Sequence, residues 1–306
     1  MKKIVLYLLM AFMACVLIGC EPEFTPTARV SIILPNGTPT LALGELLKSE
    51  NDVEVVTDTT LLQTALTTGS TDLVICPLTM ATNLYLKGKS TYKVEAIITT
   101  NNTYLVSRNA LEPYSNLNGK SIVGFNEKNT PGIILKMFYN QNNIEANTQY
   151  EANVNASLNA FQNGNTEYAV ISEPQLSQLQ KTVSDLNILN LGEIVTKDFI
   201  PQAAIFVKAD KVDDENVKYF LNQIKNNLKE MNENPEEYAN KLMGMDYAYF
   251  NKLTKEVIVS SIPRMNLQYL KAKEYKRVIE QFYSLCDTYC NNLFGGSVPD
   301  ENFYNN

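Results

Sequence analysis

The stretch "ILPNGTPTLALGELL", Ile33 to Leu47, decides the fold once its second copy is found. An apolar run ends at Pro35, Asn36 and Gly37 turn the chain, and Thr38-Pro39 opens a segment of helical periodicity. Thr is a good N-cap, and Pro in the first helical turn gives up no useful N–H. Taken alone this is a turn between a strand and a helix. Further along, "SIVGFNEKNTPGIILKMF", Ser121 to Phe138, repeats the construction: apolar strand, polar loop, Thr-Pro, helix.

The likeness continues downstream. "TALTTGSTDLVICP" (Thr64 to Pro77) and "NAFQNGNTEYAVISEP" (Asn159 to Pro174) share Ala-[Leu/Phe]-x-x-Gly-x-Thr-[Asp/Glu] before a second apolar strand that ends near a proline. Gly69 and Gly164 suit the left-handed position that closes a helix. Each piece is common in α/β proteins, but their shared order reads as two lobes of the same build.

Outward from these copies, short β-rich runs alternate with helical periods from Val30 to Val207. The expected strands are Val30 to Leu34, Val53 to Thr57, Leu73 to Cys76, Val94 to Thr99, Tyr104 to Ser107, Ser121 to Gly124, Tyr168 to Ser172 and Ala203 to Val207. Near-continuous apolar strands separated by helices imply largely parallel sheets covered on both faces. After Asp213 the pattern reads as helices only, with an irregular tail "GGSVPDENFYNN". The expected organisation is a first lobe over residues 30–103, a second lobe over 104–201, and completion of the first lobe with C-terminal helices over 202–306. The chain then crosses between lobes twice, near "TTNNTYLVS" and "FIPQAAIFV".

The N-terminal end sets the expected compartment. Lys2 and Lys3 precede an apolar run from Ile4 to Ile18, which is too short for a spanning helix and is followed by the polar "EPEFTPTAR". Leu17-Ile18-Gly19-Cys20 resembles a bacterial lipobox, so residues 1–19 are expected to be a lipoprotein signal peptide. Cys20 is then the lipidated residue, and 20–29 form the tether that holds the protein outside the cell membrane by its acyl chains alone.

Composition excludes several functions. A formal net charge of -7, with no basic block, argues against nucleic acid, which needs clustered Lys and Arg. The chain has no histidine, so no His base, His-activated nucleophile or His metal ligand exists. No GxSxG, GxxxxGK[ST], HExxH or calcium-loop pattern is present, so neither catalysis nor a metal or other cofactor is expected. Cys286 and Cys290, four apart in "SLCDTYC", read as half-buried free thiols, with a strained disulfide or a soft metal as alternatives.

Ligands of open parallel sheets collect at the carboxyl ends of strands, where loops lead into helix N-termini. Four such places occur: Asn36-Gly37-Thr38; Cys76-Pro77-Leu78-Thr79; Asn129-Thr130-Pro131-Gly132; and Ser172-Glu173 before Pro174. Facing lobes bring all four to one cleft, offering hydroxyls, amides and backbone N–H groups suited to oxyanions or polar rings. Each Thr or Asn serves equally well as a simple cap. Glu173 either accepts from a ligand amine or favours the next helix start. Cys76 reads as packing, since no base activates it. Asn101 and Asn102, at the first crossing, read as hinge, ligand contact or turn.

With the lipobox and doubled lobes, "LQTALTTGSTDLVICPLTMATNLY", "LNGKSIVGFNEKNTPGIILKMFY" and the ending "GGSVPDENFY" resemble bacterial solute-binding lipoproteins of ABC importers. The likeness is to the type II periplasmic-binding-protein group that takes nitrate, sulfonates, taurine or thiamine pyrimidine precursors. It implies two α/β lobes of mostly parallel sheets on a two-strand hinge, with extra C-terminal helices, closing over a small polar or anionic solute. It further implies a monomer that delivers this solute to a permease driven by an ATPase. Nitrate-type members are expected to use His or Trp contacts, and this chain has neither. A secreted enzyme of the same fold, and a surface adhesin or structural lipoprotein, are the alternatives; the missing histidine weighs against the first and the paired lobes against the second.

Overall fold

The computed structural model describes residues 24–305. The signal segment, Cys20 and the first residues of the tether lie outside the described residues.

The first strands are β1 (Ser31–Pro35), β2 (Asp52–Val56), β3 (Leu73–Pro77) and β4 (Lys93–Thr99), and with β10 (Ala203–Val207) and β11 (Leu267–Lys271) they make a six-stranded sheet. Its order is β11-β4-β10-β3-β1-β2. Pairing directions place β1 to β4 pointing one way and β10 and β11 the other. A five-stranded sheet holds β5 (Tyr104–Ser107), β6 (Ser121–Phe125), β7 (Asn147–Glu151), β8 (Tyr168–Ile171) and β9 (Asn187–Asn190), in the order β7-β6-β8-β5-β9. Here only β5 opposes the rest.

The repeat is therefore topological. Each sheet contains a parallel trio, β2-β1-β3 or β7-β6-β8, followed by one opposed strand and one that points with the trio. Register repeats too: Ile32 and Ile33 face Leu73 and Val74, while Ile122 and Val123 face Tyr168 and Ala169. The helices that open at the two Thr-Pro pairs are α1 (Thr38–Leu43) and, after α2 (Thr59–Thr68) and α3 (Leu78–Leu86), α4 (Thr130–Asn142). Gly69 closes α2 at φ 66° and donates its N–H to the Ala65 carbonyl. The later helices are α5 (Val154–Gln162), α6 (Gln175–Gln180), α7 (Leu191–Val195), α8 (Glu215–Glu233), α9 (Pro235–Met243), α10 (Lys255–Met265) and α11 (Lys276–Tyr289).

Two expectations change. The segment after Asp213 is not helical throughout, because "LQYLK" forms β11 against β4. Only Leu267 of it is fully buried, so it carries no apolar run of its own; backbone pairing makes it a strand. The edge strands β7 and β9, "NTQYE" and "NILN", were likewise absent from the apolar pattern, since an edge strand keeps one side in water.

The two sheets are joined by the segments around Thr100 and Pro201, which pair antiparallel as an isolated bridge. One apolar cluster also runs from Leu62 and Val74 through Ile279 and Phe282 of α11 to Ile133 and Phe138 of α4. The α11 helix thus packs against both sheets' helical layers. No helix among the described residues is long and apolar enough to cross a membrane.

Candidate functional site

The two sheets meet where the chain after β1 touches the loop after β8. Gly37 holds φ 155° and ψ -150°, a conformation nearly confined to glycine, while the space beside its Cα is open. The glycine is needed for the backbone turn and not to relieve crowding. That turn points the Thr38 hydroxyl across to the other sheet, where it donates to the Glu173 carbonyl at 2.8 Å. Asn102, buried at the first crossing, ties both sides: its amide donates to Thr38 Oγ1 at 3.2 Å, and its Oδ1 accepts from the Glu173 N–H at 2.7 Å. Gln202, on the second crossing, accepts from the Asn102 N–H at 2.6 Å.

Thr38 separates two cavities. The first, of about 180 Å³, is lined by Thr38, Pro77, Asn129, Thr130, Pro131 and Gln202 among others. The second, of about 250 Å³, is lined by Asn36, Gly37, Ser172, Glu173, Phe125 and Tyr249 among others. Neither wall carries a Lys or Arg side chain.

Glu173 is the one ionisable carboxylate in these walls, and its charge is already engaged. The side chain is fully buried; one oxygen accepts from Arg264 Nε on α10, the other from the Ser177 N–H at 2.9 Å. Burial pushes its carboxyl above the ordinary range, against the opposing pull of Arg264. Arg264 in turn reaches Ser177 Oγ at 2.9 Å and Gln180 Oε1 at 2.7 Å.

Two hydroxyls of wall residues are sealed from solvent without a partner. Thr130 Oγ1 and the Tyr249 hydroxyl are enclosed and have no hydrogen-bond partner. Asn129, at the cap position of α4, makes no side-chain cap bond; Pro131 has no N–H and Ile133 donates to the Asn129 carbonyl at 3.1 Å, which leaves the N–H groups of Thr130 and Gly132 without a side-chain cap.

Of the residues singled out from sequence, Asn36, Gly37, Thr38, Pro77, Asn129, Thr130, Pro131, Ser172 and Glu173 line the cavities, and Asn102 braces them from behind. Five lie off the walls. Cys76 and Leu78 are wholly buried in the core, and burial pushes the Cys76 thiol far up. Thr79 is buried with an unpaired hydroxyl. Gly132 packs so tightly on the Glu127 backbone that a Cβ would meet its carbonyl at 2.4 Å. Asn101, at φ 48°, accepts from the Ile200 N–H at 2.7 Å and so belongs to the crossing. Gln202, Phe125 and Tyr249 were not singled out from sequence; Gln202 stands beside the second crossing and Phe125 ends the strand of the second copy, whereas Tyr249 had no signal near it.

A family profile described as NMT1/THI5 like matches residues 49–238. The chain belongs to the NMT1/THI5-like family. A search of curated protein sequences returned no match. Among solved structures, this NMT1/THI5-like chain is similar to an ABC transporter protein from Parabacteroides distasonis, with 22% identity and a TM-score of 0.73 over 90% of this chain and 98% of that one. It is similar to the periplasmic aliphatic sulphonate binding protein SsuA of Escherichia coli, with 15% identity and a TM-score of 0.68 over 87% and 88%. It also matches the periplasmic nitrate-binding protein NrtA of Synechocystis PCC 6803, with 17% identity and a TM-score of 0.57 over 76% and 69%. At these identities the likeness establishes the periplasmic-binding-protein fold: two α/β sheets joined by paired crossings, with added C-terminal helices.

Proposed function

We propose that this NMT1/THI5-like chain is the extracytoplasmic solute-binding component of an ABC importer. It captures a small polar or anionic solute, sulfonate-like or pyrimidine-like, between two lobes and passes it to a membrane permease and its ATPase. The first lobe comprises residues 30–103 and 202–306, the second 104–201, and Cys20 carries the lipid anchor. The observation that carries the reading is the pair of loops, Gly37-Thr38 and Ser172-Glu173, meeting between cavities lined by polar side chains of both sheets. The reading is of a binder and not an enzyme: the Cys76 thiol is sealed in the core, and the Glu173 carboxylate is committed to Arg264.

The test is a thermal-shift panel of sulfonates, pyrimidines, amino acids and oxyanions, with product analysis. A compound that raises Tm and is recovered unchanged supports the proposal; turnover, or no shift from any compound, overturns it. Thr130→Val keeps the shape and loses the hydroxyl, so it should weaken binding by more than it lowers stability. Equal losses would make Thr130 only a structural residue.

A further inference from the structure

We propose that residues 24–28 form a releasable clasp that decides which pole of the first lobe faces the membrane. The proposal rests on the reading above, in which Cys20 carries the lipid anchor and the solute passes to a membrane permease.

One side chain makes most of the clasp. Asn216, in the first turn of α8, accepts with its Oδ1 from the Thr27 N–H at 2.8 Å, the Ala28 N–H at 3.2 Å and the Thr27 hydroxyl at 3.4 Å. Ahead of these bonds the Phe24 ring lies 5.6 Å from the ring of Tyr219 on the same helix. Behind them Val30 is buried and fixed: its N–H donates to Asn51 Oδ1 at 2.8 Å, and its carbonyl accepts from the Asp52 N–H at 3.0 Å. Between the two fixings the chain does not pack down onto the core. It walls a cavity of about 470 Å³ together with α8 and residues 46–51. Residues 24–29 are all exposed, so the clasp can part without opening the core.

The clasp lies at the amino ends of the first lobe's parallel strands. Val207, ending β10, pairs with Leu73, which starts β3, and the Lys208 N–H donates to the Asp72 carbonyl at 2.9 Å, so α8 begins at that pole. Both cavities lie at the other pole, around the chain that follows Pro35 at the end of β1. The five residues of β1 set the poles about 17 Å apart.

Only Glu21, Pro22 and Glu23 stand between Cys20 and Phe24, a gap that extended chain spans in about 14 Å. With the clasp engaged, the amino pole is held near the acyl anchor and the cleft opens away from the membrane, towards incoming solute. With it released, Val30 becomes the first fixed residue, and the reach from Cys20 grows to about 35 Å. That exceeds the separation of the poles, so the molecule can turn and present its cleft to a membrane partner.

The experiment uses the full chain, made in a lipidating bacterial host and reconstituted in vesicles of phosphatidylethanolamine and phosphatidylglycerol with an acceptor dye on the headgroup. A donor dye is attached at one pole through Asp213→Cys, beside the start of α8, or at the other through Leu61→Cys, on α2 near the first cavity; both positions are exposed. Without further substitution, energy transfer to the membrane should be about twofold or more stronger from position 213 than from position 61, given the separation of the poles. Asn216→Ala should bring that ratio to about one and speed amide exchange at Thr27 and Ala28 by about tenfold, as expected when a bond that limits local opening is lost. Phe24→Ala, which leaves the start of α8 intact, should move both readings the same way, so a folding defect in Asn216→Ala cannot mimic the result. A ratio near one before either substitution, or one that neither substitution changes, overturns the proposal. Recovery of the chain without acyl chains on Cys20 instead overturns the anchor reading, and the clasp's role falls with it.

Discussion

Thr38 and Glu173 are separated by 135 residues and meet through one buried hydrogen bond, the Thr38 hydroxyl donating to the Glu173 carbonyl at 2.8 Å. Each lies just beyond the carboxyl end of a strand, Thr38 opening α1 after β1 in one sheet and Glu173 in the loop after β8 in the other. The bond joins the sheets at the level of the cavities, and Asn102 secures both partners.

Thr38→Val removes that donor and an acceptor for Asn102 while conserving shape. Stability measured by urea unfolding should fall by about 1–3 kcal/mol, the range for stranding a buried polar partner. Any compound that binds the wild type should bind the variant more weakly, as the bridge between the sheets is gone. Unchanged stability would mean the bond is not made in solution.

The Arg264–Glu173 pair makes a pH-dependent prediction. With Arg264→Met the buried carboxylate loses its cation, at a cost of roughly 3 kcal/mol at neutral pH. Burial already raises the folded carboxyl above its ordinary value, and losing Arg264 raises it further. A carboxyl raised in the folded state contributes best when protonated, and stability is lost as pH rises through its folded range. The Tm gap between variant and wild type should therefore narrow as pH falls from neutral towards the ordinary carboxylate range. A gap that stays constant would show that the pair acts only through packing.

The cavity walls contain no Lys or Arg, and the chain has no histidine. Solute affinity should then change by less than about threefold between low and high sodium chloride, since no exposed ion pair is there to screen. A loss of tenfold or more would point to a cationic contact outside the cavities described.

Alkylation should rank the thiols. Cys76 and Cys286 are buried, and burial pushes both thiols far up; the half-buried Cys290 is pushed up to about 11. Little of Cys290 is then thiolate at pH 8, and the thiolate is the reactive form. Peptide mapping after iodoacetamide should find slow labelling at Cys290 first, and Cys76 and Cys286 labelled only on unfolding. Fast labelling of Cys76 in the native protein would contradict its place in the core. None of these three cysteines forms a disulfide, and Cys286 is buried where the sequence reading had it half-buried.

Sequence by itself determined the doubled plan. Strand, polar loop, Thr-Pro and helix are written in local signals: apolar runs, Gly37 and Gly69 at special backbone angles, and prolines in first turns. These act over a few residues, so they can be read without knowing the fold. Tertiary structure alone decided how the cleft is equipped. It turned the Glu173 side chain towards Arg264, put Cys76 inside, and brought Tyr249 to the second cavity from a turn with no motif. It also made strands of "NTQYE", "NILN" and "LQYLK", whose identity comes from backbone pairing with a neighbour. The physical reason is range. Caps and periodicity depend on neighbours in sequence, whereas a buried charge, an orphaned hydroxyl or an edge strand depends on groups that only the folded chain brings together.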